Sequence, residues 1–168
     1  MRRSTINSVL VAAVLIAVAL LAERFAGWLV PPVTGAMHVV DGDSFELGEE
    51  RVRLDGIDAP ELHQDCGPSS NGSGTKPWPC GRAARDALRK AAAKGAVSCR
   101  PIGTDVYGRS LSMCEAGGVD LARELVAQGL AVATGLAYAR AQDEARRAKR
   151  GIWAGPFEQP ASWRARNN

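Results

Sequence analysis

The stretch RVRLDGIDAPEL, residues 51–62, begins as a β-strand and ends in a turn that carries two carboxylates. Arginine and apolar residues alternate at first, which is the period of a strand with one buried face. A Gly-Ile-Asp-Ala-Pro-Glu run then breaks the strand and places Asp58 and Glu61 on either side of a proline. Together with Arg53, these carboxylates suit a phosphate and a metal ion, but they suit an ordinary surface turn equally well.

Short strands and helices follow one another on both sides of this stretch. Turn residues divide residues 35–59 into three short strands, and a loop rich in glycine and serine covers residues 62–80. An alanine-rich helix over residues 81–95 precedes a hairpin centred on residues 103–108, and two further helices follow. No long βαβ alternation occurs. We therefore predict a mainly β fold with helices (α+β), a five-stranded OB-type barrel with three packed helices.

The N-terminal segment, residues 1–32, differs from the rest of the chain. Arg2 and Arg3 precede an uninterrupted apolar run over residues 9–22. This run fits a signal-peptide core better than a membrane span of about 20 residues, although a buried core helix is the alternative. We expect a hydrophobic helix that serves as signal peptide or signal anchor with linker, followed by one domain over residues 33–168 that ends in a tail rich in tryptophan and proline. The arginines predict a periplasmic or secreted domain, anchored to the inner membrane if the segment stays uncleaved.

An even number of cysteines lies in the part expected to be exported: Cys66, Cys80, Cys99 and Cys114. Such a number in an exported chain favours disulfides. The first two bracket the Gly/Ser-rich loop, and a hairpin register that pairs Gly103 with Ser110 places the last two opposite each other. We favour the pairs Cys66–Cys80 and Cys99–Cys114 over the two other pairings or free thiols. No pair has the spacing of zinc ligands.

Three motifs contain residue types suited to phosphate chemistry. DGDS, residues 41–44, lies at a strand junction, the stretch 51–62 supplies Arg53 with Asp58 and Glu61, and DVYGR, residues 105–109, lies at the hairpin tip. Alone, each is consistent with a turn or a surface ion pair, and Gly108 supplies an unusual backbone angle. Together with LVAQGLA and GIWAG, their order and spacing resemble the staphylococcal nuclease (thermonuclease-like) family over about residues 36–155.

The resemblance implies a barrel with helices and Ca²⁺-dependent hydrolysis of phosphodiester bonds in DNA and RNA. Arg53 and Arg109 stand where the phosphate-binding arginines of the family stand, and Glu61 stands at the general-base position. The residue types suit these roles. Two guanidiniums can bind phosphate oxygens as forked donors without losing their charge. A carboxylate within hydrogen-bond reach of a water molecule can accept its proton.

The same resemblance places calcium ligands at Asp43, Asp58 and the backbone carbonyl of Ala59. Hard divalent cations prefer oxygen ligands, so this set fits Ca²⁺ and does not exclude Mg²⁺ or Mn²⁺. Tyr107 matches a substrate-binding tyrosine beside the nucleotide. A second expected tyrosine is absent, with Tyr138 one step away from its position, so base stacking and the preference for DNA or RNA are open.

We predict an exported, metal-dependent nuclease that hydrolyses DNA, RNA or both, and we expect a monomer. The alternative is a non-catalytic, membrane-anchored OB-fold module that binds nucleic acid or a protein. A decayed binding module is expected to lose at least one charged residue of the site. All five are present here: Asp43, Arg53, Asp58, Glu61 and Arg109. The net charge of +3 does not suggest a strongly basic, non-specific DNA coat.

Overall fold

The computed structural model describes residues 11–20, 31–67 and 76–167. The chain divides into two units, Met1–Pro31 and Pro32–Asn168. In the first unit, residues 11–20 are helical. The rest of the apolar run and both arginines before it lie outside the described residues. Across the described ranges, no helix is both long enough and apolar enough to cross a membrane.

The second unit consists of short strands interleaved with helices. Its described strands are β1 (Val33–Thr34), β2 (Met37–Val39), β3 (Ser44–Leu47), β4 (Glu50–Leu54), β5 (Ile57–Asp58), β6 (Val97–Thr104), β7 (Ser110–Ala116), β8 (Val119–Asp120) and β9 (Val132–Ala133). Its described α-helices are α1 (Cys80–Ala92), α2 (Leu121–Ala127), α3 (Ala139–Arg147) and α4 (Pro160–Asn167). Two 3₁₀ turns flank α3: Leu136–Tyr138 and Gly151–Ala154.

One curled sheet forms a half-barrel with strand order β1-β6-β7-β4-β3-β2, and β8 pairs with β7. β4 and β7 run parallel, whereas the other pairs of this sheet are antiparallel. β5 and β9 form a separate pair. This architecture confirms the predicted OB-type α+β fold. The structure adds two-residue strands too short to give a sequence pattern, and a fourth helix, α4, in the tail.

The core lies between the sheet and the helices. Alternate positions of β3 and β4 are at most 1% exposed: Phe45, Leu47, Val52 and Leu54. The buried positions of α1 include three at helical spacing: Ala84, Leu88 and Ala91. Each element therefore buries one face, as the period of its sequence requires. Fully burying a side chain such as Leu88 contributes about 1.5–3 kcal/mol.

Two strand registers bring the sequence motifs together. In the antiparallel β3–β4 pair, Ser44 lies opposite Arg53, so the DGDS turn borders the arginine strand. In the parallel β4–β7 pair, Val52 lies opposite Ser110, so the hairpin tip that precedes β7 borders the same strand. The fold therefore brings three motifs that are far apart in sequence together around Arg53 of β4.

Both predicted disulfides are present. Cys66 pairs with Cys80 at a Cα–Cα distance of 5.6 Å, and Cys99 pairs with Cys114 at 4.1 Å. The first ties the loop after Glu61 to the start of α1. The second joins directly opposed residues of β6 and β7.

The predicted register at the hairpin tip is wrong by one residue. Ser110 lies opposite Thr104 instead of Gly103, and a register shift between Pro101 and Gly103 then restores the pairing that opposes the two cysteines. Proline has no backbone N–H to donate to a regular ladder, which favours an irregularity at this point.

Replacing both Cys66 and Cys80 with serine is expected to lower the free energy of unfolding by about 3 kcal/mol, because the bond closes a loop of about 15 residues in the unfolded chain. Urea unfolding followed by circular dichroism measures this change. An unchanged free energy of unfolding would show that the bond does not stabilise the fold.

Candidate active site

A cleft of about 650 Å³ brings four of the predicted site residues together. They come from β4, from the turn after β5 and from the hairpin tip: Arg53, Glu61, Tyr107 and Arg109. Asp43 and Asp58 contact Arg53 and are buried. The predicted residues therefore form one constellation.

Arg53 bridges the two predicted calcium-ligand aspartates. Its Nη1 lies 2.7 Å from Asp43 Oδ1, and its Nη2 lies 2.8 Å from Asp58 Oδ1. The side chains of Asp43 and Asp58 are only 4% and 11% exposed. Asp43 also accepts hydrogen bonds from Ser44 Oγ at 3.0 Å and from the backbone N–H of Ala59 at 2.8 Å. Charges this deeply buried depend on every partner they have.

The DGDS turn holds Asp43 in this position. Asp41 Oδ1 accepts hydrogen bonds from the backbone N–H groups of Asp43 and Ser44, at 2.9 and 2.7 Å. Burial raises the pKa of Asp43 to about 7; the charge of Arg53 opposes the rise, and the neighbouring Asp41 adds to it. A cation close to Asp43 therefore helps to keep it ionised.

The hairpin tip aims Arg109 into the cleft. Asp105 Oδ1 accepts the backbone N–H groups of Tyr107 and Arg109, each at 2.9 Å, and Asp105 Oδ2 binds Arg109 Nε at 2.7 Å. Burial opposes ionisation, but hydrogen bonds from Arg109 and Tyr107 lower the pKa of Asp105. On the other side, Arg109 Nη1 donates to Ser44 Oγ at 3.0 Å. The guanidinium is thus fixed from two directions.

Asp105 belongs to the site although the sequence motifs did not single it out for a role. An aspartate that opens a tight turn with a following glycine typically accepts the N–H groups of the next residues. That signal is present in DVYGR, where Gly108 takes a positive φ of 74°.

Tyr107 is the one aromatic side chain among the described residues that line the cleft, and it is 71% exposed. The guanidinium carbon of Arg109 lies 5.4 Å from its ring centre. Tyr138 has a different position. It is buried, and its hydroxyl donates to Asp120 Oδ2 at 3.2 Å. Burial and the Asp120 carboxylate raise the pKa of Tyr138 to about 12.

Glu61 has a fixed backbone and a partly exposed side chain. Its backbone N–H donates to Oε1 of the fully buried Gln64 at 3.2 Å, and Gln64 Nε2 donates to the Glu158 carbonyl at 2.7 Å. A Cβ at Gly81 would lie 1.7 Å from the Glu61 carbonyl oxygen, so only glycine fits there. The Glu61 side chain is 26% exposed and lines the cleft.

Arg164 of α4 completes the constellation, and no sequence motif indicated it. Its Nη1 lies 2.9 Å from Asp58 Oδ1 and 2.7 Å from Glu61 Oε1. Its Nη2 donates to Asp58 Oδ2 at 3.2 Å. Hydrogen bonds to Asp58 raise the pKa of Arg164; burial opposes this rise, and Glu61 supports it.

The fit to a metal ion depends on these arginines. Among the described residues, no group of three or more His, Cys, Asp and Glu side chains is arranged to hold a metal. The carboxylates of Asp43, Asp58 and Glu61 are nevertheless hard oxygen donors of the kind that Ca²⁺ prefers. Arg53 and Arg164 occupy them here. In this structure the three carboxylates therefore serve as partners of arginines, and their oxygen donors are of the type that a divalent cation would need.

The comparison with known families agrees with this geometry. A family model of staphylococcal nuclease homologues matches residues 51–155. The chain belongs to the staphylococcal nuclease family. The matched span contains Arg53, Glu61 and Arg109, whereas Arg164 lies beyond its end.

A curated member of similar sequence is the succinoglycan biosynthesis protein ExoI of Rhizobium meliloti (strain 1021). It is 36% identical over 129 residues, which cover 73% of this chain. The alignment spans 65% of ExoI, slightly under two thirds of that protein. The staphylococcal nuclease domain is therefore shared, and the name of this relative describes a role in biosynthesis.

Proposed function

We propose that this staphylococcal nuclease family member is a metal-dependent nuclease that hydrolyses phosphodiester bonds of DNA, RNA or both. One observation carries the proposal: Arg53, Arg109 and Glu61 line a single cleft with Tyr107 at its edge. Guanidiniums, a carboxylate and an exposed aromatic ring are the groups that a nuclease needs for phosphate, water and base.

The arginines bind the phosphate in this mechanism. Attack on a phosphodiester increases the negative charge on the phosphoryl oxygens, and fixed cations aimed at those oxygens lower the barrier. Arg109 is held in place by Asp105 and Ser44. Arg53 is anchored to Asp43 and Asp58, and its guanidinium has five N–H donors in all, so it can also donate to phosphate.

Glu61 acts as the general base and accepts a proton from the attacking water. Its carboxylate lies in the cleft while its backbone is fixed by Gln64. Asp43, Asp58 and the backbone carbonyl of Ala59 would hold Ca²⁺, or Mg²⁺ or Mn²⁺, which when bound offsets charge on the phosphate. These roles combine electrostatic stabilisation with general-base catalysis.

The two disulfides support a role in an oxidising compartment. We therefore propose that the protein acts after export, in the periplasm or outside the cell. The monomer expected from the sequence is part of the same proposal.

Hydrolysis of a labelled single-stranded DNA by the full chain tests the proposal, with millimolar Ca²⁺ and then with EGTA. We expect calcium-dependent cleavage that is lost in Arg109→Ala and kept in Arg123→Ala, which changes an exposed arginine of α2. Folded protein that binds the DNA in fluorescence anisotropy but cleaves it with none of Ca²⁺, Mg²⁺ and Mn²⁺ would favour the non-catalytic binding module. The contact of Arg164 with Glu61 is the observation that keeps this second candidate open.

Asp105→Ala is expected to lower kcat for DNA hydrolysis by about tenfold or more, because small losses of alignment in a catalytic group are costly. The variant removes the carboxylate that fixes Arg109 Nε and two backbone N–H groups of the tip. Asp105→Asn keeps an acceptor for these N–H groups and should lose less. Steady-state kinetics of both variants measure the difference; wild-type kcat in Asp105→Ala would contradict the positioning role.

A further inference from the structure

Helix α4 places one guanidinium on two carboxylates of the candidate active site. Arg164 contacts both oxygens of Asp58, at 2.9 and 3.2 Å, and Oε1 of Glu61, at 2.7 Å. Asp58 is a predicted metal ligand and Glu61 is the predicted base. Arg164 therefore occupies the oxygens that a metal ion and an attacking water would need.

The chain leading into α4 is attached to the loop that follows Glu61. The Glu158 carbonyl accepts a hydrogen bond from Gln64 Nε2 at 2.7 Å, and the Pro156 carbonyl accepts one from the backbone N–H of Gly67 at 2.9 Å. Pro160, the first residue of α4, is buried. These contacts hold the start of the helix beside the cleft.

The remainder of α4 has little apolar surface buried. After Pro160, its residues are exposed or only partly buried, and the side chain of Arg164 is 33% exposed. Burial of apolar surface is the main source of helix stability in a protein, so the ion pairs of Arg164 are a principal attachment of this helix. Little buried apolar surface therefore opposes release of the helix beyond its anchored start.

The charges of the cluster also favour replacement of Arg164 by a metal cation. Three carboxylates, Asp43, Asp58 and Glu61, face two guanidiniums, Arg53 and Arg164. Removing Arg164 leaves Asp58 and Glu61 without the cation that they share, while Arg53 still pairs with Asp43 and Asp58. Carboxylates that lose such a partner, with hard oxygen donors, suit a divalent cation.

We propose that Arg164 is the resting occupant of the divalent-cation site, so that a metal ion binds only when Arg164 leaves Asp58 and Glu61. The identity of the cation rests on the proposed nuclease function. Because the same guanidinium pairs with Glu61, its release also frees the general base to accept a proton. Helix α4 thus makes availability of the base depend on occupation of the metal site, and Arg164 sets the affinity of that site.

Titration of CaCl₂ into the full chain by isothermal calorimetry tests the competition without using activity. Arg164→Gln removes the competing cation and its charge-assisted hydrogen bonds. The Kd of this variant for Ca²⁺ should therefore be lower than the wild-type Kd by about tenfold or more. Arg166→Gln is the matched control, because Arg166 lies on the same helix and pairs with Glu158 outside the cluster. Equal Kd values for wild type and Arg164→Gln, or no binding to either, would overturn the proposal.

Amide hydrogen exchange of α4 supplies a second readout. In the wild-type chain, saturating Ca²⁺ should speed exchange of the α4 amides, whereas α2 should not change. Slower or unchanged exchange in α4 would contradict release of the helix.

A parallel DNA cleavage assay separates the proposed nuclease activity from the proposed competition between Arg164 and the cation. Tighter Ca²⁺ binding by Arg164→Gln, without DNA cleavage by either protein, would contradict only the nuclease activity. DNA cleavage together with equal Kd values for Ca²⁺ would contradict only the competition.

Discussion

Replacing Glu61 with glutamine is expected to slow DNA hydrolysis by about two to four orders of magnitude, which is the usual contribution of a general base. The amide has nearly the same size as the carboxylate but cannot take up a proton from water at neutral pH. The backbone of residue 61 contacts Gln64 and Gly81, and the substitution changes none of these backbone atoms. Arg164 retains both contacts with Asp58 in this variant. The fold should therefore persist while turnover is lost.

Single-turnover cleavage of DNA by wild type and Glu61→Gln, with urea unfolding of both, separates chemistry from stability. Glu49→Gln is a suitable control because Glu49 is an exposed carboxylate in the turn between β3 and β4. A Glu61→Gln variant that cleaves at the wild-type rate would exclude Glu61 as the base.

Arg53→Ala is expected to abolish hydrolysis and also to lower the free energy of unfolding by about 3–5 kcal/mol, the cost of removing one partner from a buried ion pair. Asp43 would lose its cationic partner while its side chain remains 4% exposed. Asp58 would keep Arg164 but lose the contact with Arg53. Arg53 thus has a structural role in addition to its proposed role on phosphate.

Arg109→Ala provides the contrast. Arg109 is more exposed than Arg53, and its carboxylate partner Asp105 lies at the hairpin tip. We expect the loss of activity to be as large, with a smaller change in unfolding free energy, because Asp105 keeps two backbone N–H groups as partners. Urea unfolding of the two variants measures the difference. Equal stability of Arg53→Ala and wild type would show that the buried aspartates do not depend on Arg53.

The sequence was sufficient for the fold class and for the disulfides because these follow from local patterns. Alternation in β3 and β4 and helical spacing in α1 identified the buried faces that the structure contains. The predicted hairpin correctly placed Cys99 opposite Cys114 although its register at the tip was wrong. The one-residue shift between Pro101 and Gly103 cancels the one-residue error at the tip. The family resemblance assigned site roles to residues of the three motifs, and the strand pairs of β4 bring those motifs together around Arg53.

Arg164 could not be found in this way. It contacts Glu61 across a separation of 103 residues, and the prolines and tryptophans of its segment predict only a tail that packs on the domain. Gln64 has the same difficulty: its burial depends on the Glu158 carbonyl, 94 residues away. Contacts of this kind are set by tertiary packing, which no period or turn signal within a short window encodes.

Hydrolysis of single-stranded DNA in H₂¹⁸O, with the products analysed by mass spectrometry, tests whether the protein is a metal-dependent nuclease. DNA has no 2′-hydroxyl that could attack in place of water. We expect one ¹⁸O atom in the terminal phosphate for each bond cleaved, only with the divalent cation present and only with Glu61 intact. Folded, disulfide-bonded protein that releases no ¹⁸O-labelled product with Ca²⁺, Mg²⁺ or Mn²⁺ would contradict the nuclease activity.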